Sequence, residues 1–404
     1  MRNAAAGPMT REPSTMKVYL DHNATTFVDP IVLEAMWPCM SDPYANPSSI
    51  HQQGQSARRA MDDARESLAA SLGCRPEEIV FTSGGTESNN LAVIGAATAN
   101  RAKGRHIVTT KIEHHCVLHA CQWLEKYGFE VTRLPVDATG RVNPEEARAA
   151  IREDTILISV MFANNEVGSI QPVKEIARIA KERGILFHTD AVQGSGKVRL
   201  NVEDLGVDLL ALAAHKMYGP KGIGLLYIRQ GVKVTPLMLG GSQERNRRAG
   251  TSNVPGIVGM AKAMEVCMAS FDDDNRRIRG LRDHLKERIE TRIGRVHISA
   301  DLDHCIANTL HVCFPYVESE AVLLNLDLKG IAVSAGSACT SGSLEASHVL
   351  TAMGLPRDIA QGGIRFSLGR RTTLEEIDYT VSVLEEVIPK LRTMSPQWNS
   401  RINA

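Results

Sequence analysis

The sequence predicts an α/β protein: a mostly parallel sheet flanked by helices in a large domain, followed by a smaller α+β domain. Three observations point there. Between about residues 60 and 230, short β-branched apolar runs alternate with segments of helical period. Those runs are apolar at nearly every position, as strands covered on both faces are. Beyond about residue 292 the strands shorten and mix with helices, so the pattern changes within one chain. A length of 404 residues at 43% hydrophobic content is enough for two such bodies.

Along the chain, "MRNAAAGPMTREPST" has no apolar core of a leader peptide and reads as a frayed tail over 1–15. The expected large domain covers 16–264, with 16–30 a candidate to pack on the small domain. Its strands are "EEIVFT", "RHIVTT", "TILISVMF", "GILFHTDA" and "VDLLALAA"; "SARRAMDDARESLAASLG" and "VKEIARIAKERG" are amphipathic helices among them. After "AGTSNVPG" a long helical stretch is expected to run to about residue 292, with the domain change near 265. The small domain, 265–404, holds the strands "TLHVCF", "IAVSAG" and "IRFSLG". It closes on "TLEEIDYTVSVLEEVIPKLRTM", whose Thr373 and Glu376 form a capping pattern.

Charge and cysteine usage narrow the function classes. The 46 basic and 46 acidic residues cancel, which leaves no field favouring nucleic acid or an anionic membrane. Eight cysteines are scattered without the spacing of a disulfide-stapled domain, so reduced thiols in a cytoplasmic protein are expected. The longest apolar stretch, "GIVGMAKAMEVCMA", is broken by Lys262 and Glu265, and no membrane span is expected.

Ligands of open parallel sheets bind beyond the carboxyl ends of the strands, so polar residues just after strands carry the most weight. In "IVFTSGGTESNNLAVIG" a Ser-Gly-Gly turn leads to Thr86 as a helix N-cap, which is either a tight connection or a phosphate cradle around Gly85. "ILFHTDAVQ" ends in Asp190 with Gln193 close behind. That carboxylate either caps the next turn or pairs with a cationic heterocycle. In "VDLLALAAHKMYGPKGIG" a strand buried on both faces ends in His215 and Lys216. An amine in that setting is kept from full hydration and suits Schiff-base chemistry, whereas Lys221 reads as a surface charge. "SAGSACTSG" sets Cys339 among residues too small to wrap a core around it, leaving either a small packed thiol or an exposed, reactive one.

Cradle, ring partner and lysine in that order on successive sheet elements reinforce one another. With "VYLDHNATT", "NPSSIH", "IEHHCVLHAC", "FANNEVGSIQP", "QERNRRAGTSN", "SLEASHVL" and "IRFSLGR", they make a match covering nearly everything after residue 15. The chain resembles the cysteine desulfurases of fold type I, the pyridoxal phosphate family also called class V aminotransferases, and is most similar to their nitrogen-fixation branch. The resemblance implies removal of sulfur from L-cysteine, giving L-alanine and a persulfide on Cys339. That sulfur would supply an iron-sulfur scaffold protein for cluster assembly, with nitrogenase metallocluster maturation as one use.

It also implies the roles of individual residues. Lys216 carries the cofactor and moves the Cα proton. Asp190 pairs with the pyridinium nitrogen, and Gln193 donates to the ring O3′. His114 stacks on the ring and carries a proton; Asn165 lies beside ring and substrate. Gly85, Thr86 and His215 hold the phosphate, which Thr251 reaches from the other subunit of a homodimer. Arg365 clamps the substrate carboxylate, a task suited to its planar fork. Where the family often has a phosphate-binding serine, this chain has Ala213.

Two rivals share parts of the pattern. A small-substrate aminotransferase or a selenocysteine lyase would use the same fold, but the aminotransferase needs no loop cysteine. His115 and His119, four apart with Cys116 and Cys121 nearby, could present metal ligands on one helix face. The resemblance assigns that stretch to the ring-stacking histidine instead, and no metal is expected.

Overall fold

The computed structural model describes residues 16–335, 347–396 and 398 of the chain. Its strands, in chain order, are β1 (Val18–Tyr19), β2 (Ile79–Thr82), β3 (His106–Thr110), β4 (Glu130–Leu134), β5 (Thr155–Ser159) and β6 (Leu186–Asp190). They continue as β7 (Leu209–Ala213), β8 (Gly224–Ile228), β9 (His297–Ile298), β10 (Thr309–Cys313), β11 (Ile331–Ala332) and β12 (Gly363–Ser367). Seven of them form one sheet in the order β2-β8-β7-β6-β5-β3-β4. All pairings from β7 to β4 are parallel, while β8 runs antiparallel to both β7 and β2.

Alternation explains why these runs are apolar throughout. Along β7, Leu210 and Leu212 join one hydrophobic cluster and Leu209 and Ala211 join another, because successive side chains leave opposite faces of a strand. The first cluster is closed by the helices Gln52–Leu72, Val173–Glu182 and Val254–Ala269, through residues such as Leu68, Ile176 and Met260. The second is closed by the helix His115–Glu125 and by the continuous helical run Gly85–Asn90, Leu91–Gly95 and Ala96–Asn100, whose middle five residues are π-helical.

A third cluster sits apart. The antiparallel sheet β12-β10-β9 packs with the helices Phe271–Arg292 and Leu374–Thr393 around Leu285, Leu310, Phe366 and Leu384. Val18 and Leu20 belong to this cluster too, and β1 pairs in parallel with β11. The helical stretch expected to run unbroken to residue 292 turns by 73° at Ser270. Cys267 on one side packs in the first cluster and Ile278 on the other in the third. The closing helix has the Thr373–Glu376 capping box that its sequence shows.

Four strands escape sequence reading. β4 is a half-exposed edge, β8 hides behind the Gly/Pro-rich turn after Lys216, and β1 and β9 are two residues long each. No single helix among the described residues is long and apolar enough to cross a membrane.

Candidate active site

β2, β3, β5, β6 and β7 all point the same way, so the residues that follow them meet at one edge of the sheet. A cavity of about 290 Å³ opens there. Gly85 and Thr86 enter it after β2, His114 after β3, Asn165 after β5, Asp190 and Gln193 at the end of β6, and His215 and Lys216 after β7. Arg365 reaches it from β12. Thr251 is exposed and is not among the lining residues, and Cys339 lies outside the described residues.

Lys216 occupies the last position of the single turn Ala214–Lys216 that ends β7. Its Nζ donates to the carbonyls of Asn23 at 2.6 Å and Ala24 at 2.7 Å. Asp190 lines the same cavity, almost fully buried at 5% exposure. Its Oδ1 accepts from the Val192 N–H at 3.0 Å and its Oδ2 from Asn89 Nδ2 at 2.7 Å. The carboxylate thus makes the capping contact to the turn Val192–Gly194 and also lines the cavity. Burial pushes its pKa up to about 6, against the pull of those two donors and of Lys216.

His114 is the N-cap of the helix His115–Glu125. Its Nδ1 accepts from the Cys116 N–H at 3.2 Å and lies 3.0 Å from Cys116 Sγ. A backbone N–H can only donate, so in the neutral ring the proton belongs on Nε2. Burial first, and then the charge of Lys216, lowers the His114 pKa to about 4. His215 is lowered to about 4 as well, by burial and the lysines 216, 221 and 197, and its Nδ1 lies 3.2 Å from Thr25 Oγ1. Neutral imidazoles are therefore the working forms at both positions.

The helix that begins beside Gly85 differs from expectation in one detail. Gly84, not Thr86, is its N-cap, and Thr86 is its second residue. A Cβ at Gly85 would stand 2.6 Å from Val192 Cγ2, so only glycine lets this backbone come so close to the turn after Asp190. The neighbouring Ala213, at the end of β7, lines the cavity without a hydroxyl to donate. Lys221 is exposed as expected, and its Nζ donates to the Thr26 carbonyl at 3.2 Å.

Arg365 is not a surface arginine: it is 2% exposed in the middle of β12. Its Nη1 donates to the Asn165 carbonyl at 2.8 Å and its Nη2 to Asp21 Oδ1 at 2.7 Å. Its Nε is buried without a partner. Asp21, Asn23, Asn89 and Cys116 are partners that residue-by-residue reading missed, although all four stand in stretches singled out above. Among the described residues no group of three His, Cys, Asp or Glu is arranged to hold a metal ion; the rings of His115 and His119 lie 5.2 Å apart.

This arrangement fits an aromatic, phosphorylated cofactor. A buried carboxylate lining the cavity suits a protonated ring nitrogen, and the close-approach glycine at a helix start suits a phosphate.

The family model described as aminotransferase class-V matches residues 18–380. The chain is 53% identical over 380 residues to "Cysteine desulfurase IscS" of Dictyoglomus turgidum, covering 94% of this chain and 96% of that one. Identity with "Cysteine desulfurase IscS" of Methanosarcina thermophila is 55% over 379 residues, 94% of each. Among solved structures, a "NifS-like protein" superposes with a TM-score of 0.88 at 43% identity, covering 93% of this chain and all of that one. "SspA in complex with cysteine" superposes with a TM-score of 0.79 at 39% identity, covering 87% and 99%.

Proposed function

This chain belongs to the aminotransferase class-V family as a pyridoxal phosphate-dependent cysteine desulfurase, and we propose that the cavity between Lys216, Asp190 and Arg365 is where it takes sulfur from L-cysteine. The observation that carries the site assignment is that residues from five strand ends and β12 converge on one cavity with the chemistry the reaction needs. Pyridoxal phosphate, when bound, supplies an electron sink that loosens the bonds at the substrate Cα and opens its sulfur to attack.

The chain's own residues do the rest. Asp190 would hold the proton of the ring nitrogen, and the partners at Oδ1 and Oδ2 keep its carboxylate from turning away. Gln193 would donate to the ring oxygen, while Gly85, Thr86 and His215 would take the phosphate. The missing hydroxyl at Ala213 leaves that group one donor fewer. Arg365 binds the substrate carboxylate, and Asn165 lies beside it. Lys216 would carry the cofactor, and its Nζ would move the substrate Cα proton. His114, protonated at Nε2, donates toward the substrate's amine or thiol.

Cys339 then acts as the nucleophile. Its thiolate bonds to the substrate Sγ as the Cβ–Sγ bond breaks; that pair of electrons leaves on carbon, which takes a proton to become the methyl of L-alanine. The sulfur is oxidised to the sulfane level and remains as a persulfide. Support comes from the described flanks of residues 336–346. On one side Ser334 pairs with Arg365 through backbone bonds in both directions, and on the other Ser347 donates to Glu166, next to Asn165. Ser334 stands five residues before Cys339, a span of at most about 18 Å of chain.

The proposed acceptor is an iron-sulfur scaffold protein in the cytoplasm, with nitrogenase metallocluster maturation as one destination of that sulfur. Thr251, exposed and outside the cavity, fits a role in a homodimer, reaching the phosphate of the second copy. The domain divide is proposed at Ser270, where the helices part between two hydrophobic clusters.

The test incubates the enzyme with L-cysteine and follows alanine and the mass of the Cys339 peptide. Added sulfur on Cys339 with equimolar alanine is expected; Cys339→Ala should keep the cofactor and stop turnover. Pyruvate in place of alanine, or full sulfur release by Cys339→Ala, would overturn this reading.

A further inference from the structure

Lys197 stands in the stretch that follows Asp190, and none of the roles above uses it. It lines a second, smaller cavity of about 30 Å³ behind Lys216, which borders both. Its Nζ donates to Gln193 Oε1 at 2.8 Å and to Asn23 Oδ1 at 3.1 Å. Both acceptors are amide oxygens, and an amide that surrenders its oxygen to one side presents its NH₂ to the other. Gln193 Nε2 donates one hydrogen to the Asn23 carbonyl at 3.0 Å, which leaves the second for the main cavity that Gln193 lines.

The same lysine settles Asn23. With Oδ1 taken by Lys197 and by Asn308 Nδ2 at 3.0 Å, Asn23 turns its Nδ2 to Thr309 Oγ1 at 2.8 Å and to the Asn165 carbonyl at 3.3 Å. Its main-chain oxygen meanwhile receives Lys216 Nζ. One amine thus fixes two amides, and those amides touch the lysine and the carbonyl that anchors Arg365.

We propose that Lys197 is a positioning residue for the reaction: by holding Gln193 Oε1 it fixes which face of that amide meets the cofactor, so that a donor rather than an acceptor faces the ring oxygen. The proposal rests on the assignment of Gln193 as that donor. Burial and the nearby charges of Lys216 and Arg365 push the Lys197 pKa well below the ordinary lysine value. Orientation does not depend on the outcome, since a neutral amine still has the two N–H groups that both bonds need.

The experiment reads the visible absorption of the bound cofactor against pH in the holoenzyme. A donor to an oxygen bearing negative charge favours the deprotonated form, so losing it raises the pH midpoint of the spectral change. Gln193→Ala should raise it by about one pH unit, the worth of one hydrogen bond. Lys197→Met should do the same, and the double variant should show no larger rise than either alone. Lys197→Gln, which is uncharged but keeps an N–H donor, should restore most of the wild-type midpoint and carries the test if Lys197→Met does not fold. A Lys197→Met shift that persists undiminished on top of Gln193→Ala, or a Lys197→Gln variant as shifted as Lys197→Met, would overturn the proposal in favour of a charge effect. An unmoved midpoint in Gln193→Ala would instead remove the donor assignment beneath it.

Discussion

Arg365 Nη2 lies 2.7 Å from Asp21 Oδ1, and the two residues are 344 positions apart in the chain. The guanidinium is 2% exposed and its carboxylate partner 18%, so the pair is largely withdrawn from water. Asp21 and the Asn165 carbonyl hold the two terminal nitrogens of the fork, while the Nε stays buried and unpartnered. A charge held this way is ready for a carboxylate without first reordering its side chain.

Arg365→Ala removes the clamp and takes from Asp21 the guanidinium it pairs with. The KM for L-cysteine should rise by about 30-fold or more, the lower end of the cost of truncating one half of a buried charge pair. Arg365→Lys keeps the charge but not the fork, and should fall between. Steady-state kinetics across a cysteine series checks both, and an unchanged KM in Arg365→Ala would remove this residue from substrate binding.

Lys216→Ala should lose the visible absorbance of lysine-linked pyridoxal phosphate and release the cofactor on gel filtration. Alanine production should fall by at least about 10²- to 10⁴-fold, the usual contribution of a positioned proton-transfer group. Retained absorbance would mean that another amine holds the cofactor.

The buried Asp190 titrates near 6 in the folded chain, against about 3.9 when unfolded. Between those values the cofactor-free folded state binds the extra proton. This carboxyl's stability contribution is therefore full below about pH 4 and is lost as pH rises toward 6, by about 3 kcal/mol in all. Asp190→Asn should recover much of that in the cofactor-free protein at pH 7 and none at pH 4. Asn89, whose Oδ1 is buried without a partner, can turn to receive the new amide. Urea unfolding at four pH values from 4 to 7 reads the difference, and a gap that stays constant across them would contradict it.

Gly85→Ala should lower stability by about 1–3 kcal/mol, as overpacking does. Its methyl would meet Val192 Cγ2, and Val192 is also the backbone donor to Asp190. Cofactor affinity should weaken with it. Val192→Ala in combination should recover most of both, measured by cofactor titration and thermal unfolding; no recovery would mean that the glycine serves the phosphate alone.

Much of the sheet was legible because burial on both faces leaves an uninterrupted apolar run, as in "LLALA" of β7. β4 alternates imperfectly at a half-exposed edge and carries no such signal. The turn at Ser270 was hidden for a different reason. Both helices have good helical sequences, and only the two cores they serve require the break. Thr86 looked like an N-cap because its hydroxyl suits one; the close approach to Val192 moved the helix start to the glycines before it.

By itself the sequence determined which strands are covered on both faces and that Gly85, Asp190 and Lys216 follow strand ends. These are properties of a few neighbouring residues, set by side-chain period and turn chemistry. The tertiary structure decided the rest: that Asp21 and Asn23 come under Arg365 and Lys216, that Cys116 sets the proton on His114, and that Lys197 turns Gln193. Hydrogen-bond partners and the loss of water depend on what other segments bring to a residue, and no local pattern encodes them.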